Sequence, residues 1–261
     1  MNIFDSIILG VVEGITEFLP VSSTGHMILT SHLLDISKDP FTKSFEVIIQ
    51  LGAILAIVYL YRKTIVKDIH SMLKVLLAFI PTAIIGFMLY GLVKRLLLGN
   101  PWVVVISLFV GGLAIILFEK YYTKADEVGV VEGNIFKQVS YKQSVIIGLW
   151  QTLAMIPGVS RSAATIIGGE TLRIPRKTIV EFSFLLAIPT MLAASALDIY
   201  KHPEIISEGN LTLLATGFIT AFLVALVVVR YFLLYIQKNS FAVFGYYRII
   251  IAVVYALFFL W

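Results

Sequence analysis

Six stretches of the chain are long and apolar enough to cross a membrane, and this feature restricts the fold more than any other. Crossing the hydrocarbon core of a bilayer takes about 20 residues of helix. Of the 261 residues, 59% are hydrophobic and only 14% are charged, too few charges to cover a water-soluble domain. Because the apolar runs are continuous, they favour helices over a barrel. The predicted fold is therefore an all-α integral membrane protein with six transmembrane helices, at 45–61, 75–93, 102–118, 179–197, 211–229 and 241–261.

Two further apolar stretches, 3–34 and 143–172, are each interrupted near the middle. The first is broken at 19–23 (LPVSS) and the second at 156–160 (IPGVS): proline interrupts helical hydrogen bonding in both, and glycine favours a turn in the second. Neither piece of either stretch is long enough to span a bilayer comfortably, so both stretches are predicted to be re-entrant helical hairpins. Two ordinary proline-kinked spans are the alternative.

The sequence indicates two related halves within a single membrane domain, 1–261. A shift of 137–139 residues pairs apolar and polar positions of the first half with those of the second, for example Ser22 with Ser160. The predicted organisation is a first repeat at about 1–120, a cytoplasmic linker at about 120–140 and a second repeat at about 141–261. Three spans per half are an odd number, so the second repeat is predicted to be inverted. Inverted repeats place their site at the bilayer midplane, between broken helices.

Basic residues are divided unequally between the two sets of loops. Fourteen Lys and Arg residues, Arg248 among them, are assigned to one side and five to the other, with Arg161 set apart as an intramembrane residue. Basic loops remain in the cytoplasm. The segments 62–74 and 119–142 are therefore predicted to be cytoplasmic, and both termini to face outward.

The first interrupted stretch carries two acidic residues, Glu13 and Glu17, which lie on one face of a helix because they are four residues apart. Carboxylates inside a membrane are costly and usually functional; packing against a lysine or capping a helix is the alternative. Pro20 ends this helix, and Ser22 is placed to cap the next one. The first N–H groups of a capped helix form an anion site.

The second interrupted stretch repeats this arrangement, with Ser160 at the start of a helix and Arg161 directly after it. The planar guanidinium of Arg161 suits two phosphate oxygens at once; pairing with Glu13 or Glu17 is the alternative. Two helix N-termini, an arginine and several hydroxyls favour a multiply charged anion. The carboxylates would repel that anion unless a divalent cation bridges them or one of them acts as a general base.

The sequence around both breaks resembles a known family. Residues 13–26 (EGITEFLPVSSTGH) and 157–165 (PGVSRSAAT) are similar to two signatures of the bacterial undecaprenyl-diphosphate phosphatases, or bacitracin-resistance proteins, and the resemblance covers nearly the whole chain. It implies hydrolysis of undecaprenyl diphosphate to the monophosphate lipid carrier, recycling of that carrier for peptidoglycan synthesis, and bacitracin resistance. A transporter or flippase of a polyprenyl phosphate that uses the same anion cavity is the alternative.

The resemblance and the local chemistry together assign roles to individual residues. Ser23 is the candidate nucleophile, with Ser22 or water as alternatives, and His26 is expected to deprotonate it. Glu13 and Glu17 are expected to hold a divalent cation, Mg²⁺ or Ca²⁺, or to activate water. The catalytic set is Glu13, Glu17, Ser23, His26 and Arg161. The substrate-binding set is Ser22, Thr24, Gly25, Gly158, Ser160, Ser162, Thr165 and Gln50.

Other intramembrane polar residues either line the pocket or form hydrogen bonds between helices, and the sequence favours neither role. They are Glu46, Gln50, Glu181 and Ser183. The expected partners are a polyprenyl diphosphate lipid and the bilayer, with no nucleic acid; a homodimer is left open. The resemblance implies a multi-pass protein of the bacterial plasma membrane whose active site faces the outer side.

Overall fold

The computed structural model describes residues 1–96, 101–122, 138–203 and 208–259, and the regular elements in these ranges are helices. Much of the predicted linker falls on residues 123–137, outside the described residues. A short 3₁₀ turn, Thr152–Met155, follows α6. The α-helices are α1 (Ile3–Thr16), α2 (Ser23–Leu33), α3 (Pro40–Lys67), α4 (Ile69–Leu96), α5 (Pro101–Tyr121), α6 (Tyr141–Gln151), α7 (Arg161–Thr171), α8 (Arg176–Lys201), α9 (Glu208–Tyr235) and α10 (Ala242–Phe259).

Five of the described helices, α3, α4, α5, α8 and α9, are long and apolar enough to cross a membrane. They coincide with the first five predicted spans, which confirms an all-α integral membrane protein. The sixth predicted span, 241–261, forms α10, whose described apolar part (Ala242–Phe258) is shorter than the other five. Residues 260–261 of that span lie outside the described residues.

Both interrupted stretches form pairs of short helices that fold back on themselves. At about 1.5 Å per residue, the 14 residues of α1 and the 11 of α7 are too short to cross a core of about 30 Å. Gln143, at the start of α6, donates to the carbonyl of Leu172, just after α7 (3.2 Å), so the second pair returns to the end where it began. For the first pair, the sulfur of Met1, just before α1, lies 3.9 Å from the hydroxyl of Thr42 in the first turn of α3, the helix that follows α2. These contacts favour hairpins over kinked spans.

The two hairpins open toward opposite ends of α10. Just before α10, Ser240 donates to Glu119 (2.8 Å), and Glu119 also pairs with Arg176 at the start of α8, directly after the second hairpin. At the other end of α10, Tyr255 is hydrogen-bonded to His32 in the last turn of α2 (2.5 Å). The breaks of both hairpins therefore lie between the two ends of the helix bundle.

The backbone shows the same spacing as the sequence comparison of the two halves. Ser22 and Ser160 both adopt left-handed φ angles, 71° and 79°, directly before α2 and α7. Asp35 and Arg173 do the same directly after the C-terminal caps of these helices, at 57° and 62°. Both pairs are separated by 138 residues, the shift found in the sequence. This is the pattern that a repeat produces, while the inverted repeat itself stays a prediction.

Glycines let the first hairpin and α3 pack closely against α9. A Cβ atom on Gly52 would lie 2.2 Å from the carbonyl oxygen of Phe218, and one on Gly10 would lie 2.7 Å from that of Gly217. In the second hairpin, Gly148 brings α6 equally close to α4. Because lipid provides no hydrophobic drive for helix association, such close packing is a main source of stability in membranes.

We expect Gly52→Ala to lower the free energy of unfolding by about 1–3 kcal/mol, because its methyl group overlaps rigid backbone. Gly86→Ala is the matched control, since a Cβ there meets only the flexible end of Met155, at 3.3 Å. The measurement is the melting temperature of the purified proteins in detergent. Equal melting of Gly52→Ala and wild type would contradict the packing described for α3 and α9.

Candidate functional site

The two helix breaks meet at the centre of the protein. The hydroxyl of Ser162, in the first turn of α7, donates to the carbonyl of Leu19 in the first break (2.7 Å). A Cβ atom on Gly25 would lie 3.5 Å from Cα of Gly158. Gly158 itself has a φ of 95° and lies so close to α5 that a Cβ would be 2.7 Å from the carbonyl oxygen of Val104. The N-termini of α2 and α7 are therefore neighbours.

Serine side chains cap both of these helices. The hydroxyl of Ser22 accepts a hydrogen bond from the N–H of Gly25, and that of Ser160 accepts one from the N–H of Ala163, both at 3.2 Å. Left-handed backbone at a residue other than glycine costs about 1–3 kcal/mol and is concentrated at functional sites. The other first-turn N–H groups are directed out of each helix, where they attract anions.

A buried ion pair joins the hairpins. Arg161, at the start of α7, pairs with Glu17 of the first hairpin, with 2.6 Å between Nη2 and Oε1. The other oxygen of Glu17 accepts a hydrogen bond from the hydroxyl of Ser23 (2.5 Å). Arg161 also donates to the carbonyl of Ser183 on α8 (2.8 Å). Arg161 therefore has the pairing with Glu17 that the sequence left as an alternative.

Hydroxyl groups extend the site along α7. The hydroxyls of Ser160 and Ser162 are 3.0 Å apart, and that of Thr165 is 2.6 Å from the hydroxyl of Ser183. The sequence left Ser183 either lining the pocket or forming a hydrogen bond between helices, and its contact with Thr165 is such a hydrogen bond, between α8 and α7. These contacts hold the first turn of α7 against α8, beside Arg161.

Glu13 is fully buried one helical turn before Glu17, and within the described part of the chain neither of its carboxyl oxygens has a hydrogen-bond partner. Of the ionisable groups around it, Glu17 comes closest to forming a hydrogen bond, and Glu46 and Arg161 also lie within electrostatic range. An unpartnered buried carboxylate requires an explanation.

A divalent cation is one explanation that fits the donor set at Glu13. Mg²⁺ is commonly held by one or two carboxylates together with phosphate oxygens and water. Across the described ranges, no three His, Cys, Asp or Glu side chains are grouped so that they could hold a metal ion by themselves. The residues therefore fit a cation that is shared with a bound phosphate, rather than one held by protein groups alone.

His26 faces away from the predicted nucleophile. Its Nδ1 lies 2.8 Å from the carbonyl of Ser22, and because a carbonyl can only accept, Nδ1 carries the hydrogen in that bond. In the neutral ring, Nε2 then accepts from the hydroxyl of Tyr247 (2.9 Å), whose ring is stacked on the imidazole. The expected contact between His26 and Ser23 is therefore wrong in this structure: Glu17 occupies that position.

The remaining predicted residues are less closely connected. Thr24 is half-buried in the first turn of α2, and Gln50 is buried on α3. Among the described residues, no hydrogen bond joins Gln50 to Glu17, Ser23 or Arg161. Their assignment to substrate binding stays a prediction.

Two residues of α10 were missed by the sequence analysis. Tyr247 contacts His26, and Arg248, fully buried, donates to the carbonyls of Pro20 and Gly158 in the two breaks. Placing Arg248 in a cytoplasmic loop was wrong, which changes the count of basic residues to thirteen against five. The available signal was its position inside the predicted span 241–261, because an arginine within a span is functional by default. Tyr247 had no comparable signal.

A family model described as "Bacitracin resistance protein BacA" matches residues 6–254. The chain belongs to the BacA family. The matched range of this BacA-family chain includes the second hairpin, all of the first hairpin except residues 3–5, and Arg248.

Curated relatives match the chain over nearly its full length and carry the name undecaprenyl-diphosphatase. The protein from Aquifex aeolicus is 48% identical over 260 residues, which is 100% of each chain. The one from Persephonella marina is 47% identical over 258 residues, 99% of each chain. The one from Methanococcus aeolicus is 42% identical over 261 residues, 99% of each chain. The resemblance stated from the two signatures is thereby confirmed.

Proposed function

We propose that this protein is an undecaprenyl-diphosphatase, which hydrolyses undecaprenyl diphosphate to undecaprenyl phosphate and inorganic phosphate. The observation that carries the proposal is the 48% identity, over the full length of both chains, to a relative of that name. The site supports it, because two capped helix N-termini and Arg161 converge inside an apolar protein. Such a site suits a phosphorylated lipid, whose head group is anionic and whose tail stays in the bilayer.

The diphosphate binds between the N-termini of α2 and α7. Arg161 is paired with Glu17, 2.6 Å away. On binding, the guanidinium exchanges this carboxylate for phosphate oxygens, which match its planar fork. A charge held in position before the reaction then stabilises the charge that develops during phosphoryl transfer.

Ser23 is the proposed nucleophile and Glu17 its base, since the hydroxyl already donates to that carboxylate at 2.5 Å. The Ser23 oxygen bonds to the terminal phosphorus, its proton passes to Glu17, and the bond between that phosphorus and the bridging oxygen breaks. Undecaprenyl phosphate departs with the proton from Glu17. Glu17 then takes a proton from a water molecule that attacks the phosphoserine, and returns this proton to the Ser23 oxygen as inorganic phosphate leaves. Direct attack by water, with Glu17 as base, is the alternative.

A divalent cation, Mg²⁺ or Ca²⁺, is proposed to be held by Glu13 together with the phosphate oxygens. Glu17 is less available to it, because its two oxygens already accept hydrogen bonds from Arg161 and Ser23. When bound, the cation neutralises charge on the diphosphate. Glu13 would then have the partner that its buried carboxylate requires.

For the biological setting, we propose that the enzyme recycles the lipid carrier for peptidoglycan synthesis and confers bacitracin resistance. The description of the family model names that resistance. The predicted location is the bacterial plasma membrane, with the site open to the outer side. Whether the protein forms a homodimer is a separate question to be tested. The basic loop residues, thirteen against five, support an orientation with both termini outside, whereas the opening of the site to the outer side rests on the family resemblance.

Purified protein in detergent is expected to release phosphate from undecaprenyl diphosphate. Ser23→Ala should lower kcat by at least roughly 10³-fold, because the nucleophile is lost. Ser195→Ala is the matched control: its buried hydroxyl donates to the carbonyl of Val47, between α8 and α3. Its kcat should remain that of wild type.

Different failures of this experiment have different meanings. If the wild-type protein moves the lipid across the bilayer of proteoliposomes without releasing phosphate, the protein is a flippase and not a phosphatase. A fully active Ser23→Ala protein would contradict the serine nucleophile and leave attack by water.

The proposed role of Glu13 predicts that an excess of EDTA suppresses turnover and that added Mg²⁺ or Ca²⁺ restores it. Glu13→Gln should raise the cation concentration needed for half-maximal activity, because the amide is a weaker ligand than the carboxylate. Phosphate release is followed over a titration of each cation. Full activity in excess chelator would rule out the cation and leave Glu13 as a general base.

A further inference from the structure

Arg248 connects α10 to both helix breaks through backbone carbonyl groups. It is fully buried, and its guanidinium has five N–H donors, all of which are used. The acceptors are the carbonyl oxygens of Pro20 (3.2 Å), Gly158 (2.7 Å), Val159 (3.0 Å), Ser107 (3.1 Å) and Leu108 (3.3 Å). Three of these belong to the two breaks and two to α5.

The contacts of Arg248 are not those of an ion pair. Among the described residues, Arg161 and Arg176 are paired with carboxylates, whereas no carboxylate is paired with Arg248. A buried charge is strongly unfavourable unless it is compensated. Here the compensation comes from carbonyl dipoles alone, so the guanidinium neutralises no acidic group in this part of the protein.

The carbonyl groups of the breaks need such a donor. A helix that is interrupted inside a membrane leaves carbonyl oxygens without their usual N–H partners, and protein groups or water have to satisfy them. Arg248 does so for both breaks with one side chain. Pro20 precedes the Ser22 cap by two residues, and Val159 precedes the Ser160 cap by one. The guanidinium therefore fixes the two left-handed caps relative to each other.

We propose that Arg248 is a positioning residue for the hydrolysis: by binding both breaks, it holds Ser23 of one hairpin and Arg161 of the other at the separation that phosphoryl transfer requires. The proposal rests on the proposed function. Arg248 acts through the backbone and does not touch the substrate. A misplacement of about 1 Å in such a constellation can lower a rate by about 10²-fold.

Gly111 provides the space that the guanidinium occupies. A Cβ atom on Gly111 would lie 2.1 Å from Nη2 of Arg248, the nitrogen that donates to Ser107 and Gly158. Gly111→Ala therefore displaces the guanidinium while its charge remains. This variant separates the geometry of the hydrogen bonds from the presence of a positive charge.

The kinetic test compares Arg248→Lys, Arg248→Gln and Gly111→Ala with wild type and with the control Ser195→Ala. We expect kcat to fall by roughly 10²-fold in both Arg248 variants, and this fall to exceed the rise in KM. Lysine does not replace the arginine, because its ammonium group has only three donors. Gly111→Ala should lose activity in the same direction. Kinetics are measured well below each melting temperature, so a merely structural role would leave kcat unchanged. Native kcat in a folded Arg248→Gln or Arg248→Lys protein would overturn the proposal.

A second measurement does not depend on activity. Because the chain has no cysteine, spin labels can be attached only at introduced cysteines, here Ile15→Cys in the first hairpin and Leu153→Cys in the second. Both positions are exposed, at 42% and 46%, and each lies five residues before Pro20 or Gly158. The distance distribution between the labels should be narrow in the otherwise native protein and broad in Arg248→Gln and Gly111→Ala.

The outcomes separate this proposal from the proposed function. If the wild-type protein does not hydrolyse undecaprenyl diphosphate, the proposed function is wrong. The spin-label distances still decide whether Arg248 fixes the two breaks. An unchanged distribution in both Arg248→Gln and Gly111→Ala overturns the role of Arg248, even if hydrolysis is shown. Broad distances with native kcat overturn it as well, since the breaks would then move without consequence for the reaction.

Discussion

Backbone polar groups that are released by a helix break must find partners inside the membrane, and the geometry of the centre depends on how they do so. Ser22 and Ser160 satisfy N–H groups of the two following helices. Ser162 satisfies a carbonyl of the opposite break, and Arg248 satisfies carbonyls of both breaks. Because each break is satisfied partly by residues outside its own hairpin, neither hairpin can take its position without the rest of the bundle.

The need of buried polar groups for partners inside the membrane also explains why opposite charges are found at the centre. Removing one partner of a buried ion pair typically costs about 3–5 kcal/mol, because the other charge is left uncompensated. Arg161 and Glu17 compensate each other, so a guanidinium can be kept in an apolar environment. Under the proposed function, a bound diphosphate would supply the negative charge that allows this pair to separate. Release of Glu17 beside Ser23 would then prepare the base at the moment of binding.

Features that depend on local sequence were predicted well. Long apolar runs gave five spanning helices, and the proline and glycine residues at 19–23 and 156–160 gave the two breaks. Features that depend on partners distant in the chain were not predicted. Ser23 meets Glu17 across the break instead of His26 on its own helix, because α1 ends at Thr16 and the backbone turns through the left-handed Ser22. Arg248 was assigned to a loop although it lies inside a predicted span, and its acceptors, 89 to 228 residues away, could not be inferred from the local pattern.

The central claim is that the diphosphate takes the place of Glu17 at Arg161, between the N-termini of α2 and α7. The most direct test is an experimental structure of the protein with a non-hydrolysable methylene-diphosphonate analogue of the substrate. We expect phosphonate oxygens within hydrogen-bond distance of the Arg161 guanidinium and of first-turn N–H groups in both helices, with Glu17 and Arg161 separated. An analogue bound elsewhere, with the 2.6 Å pair between Arg161 and Glu17 intact, would contradict it.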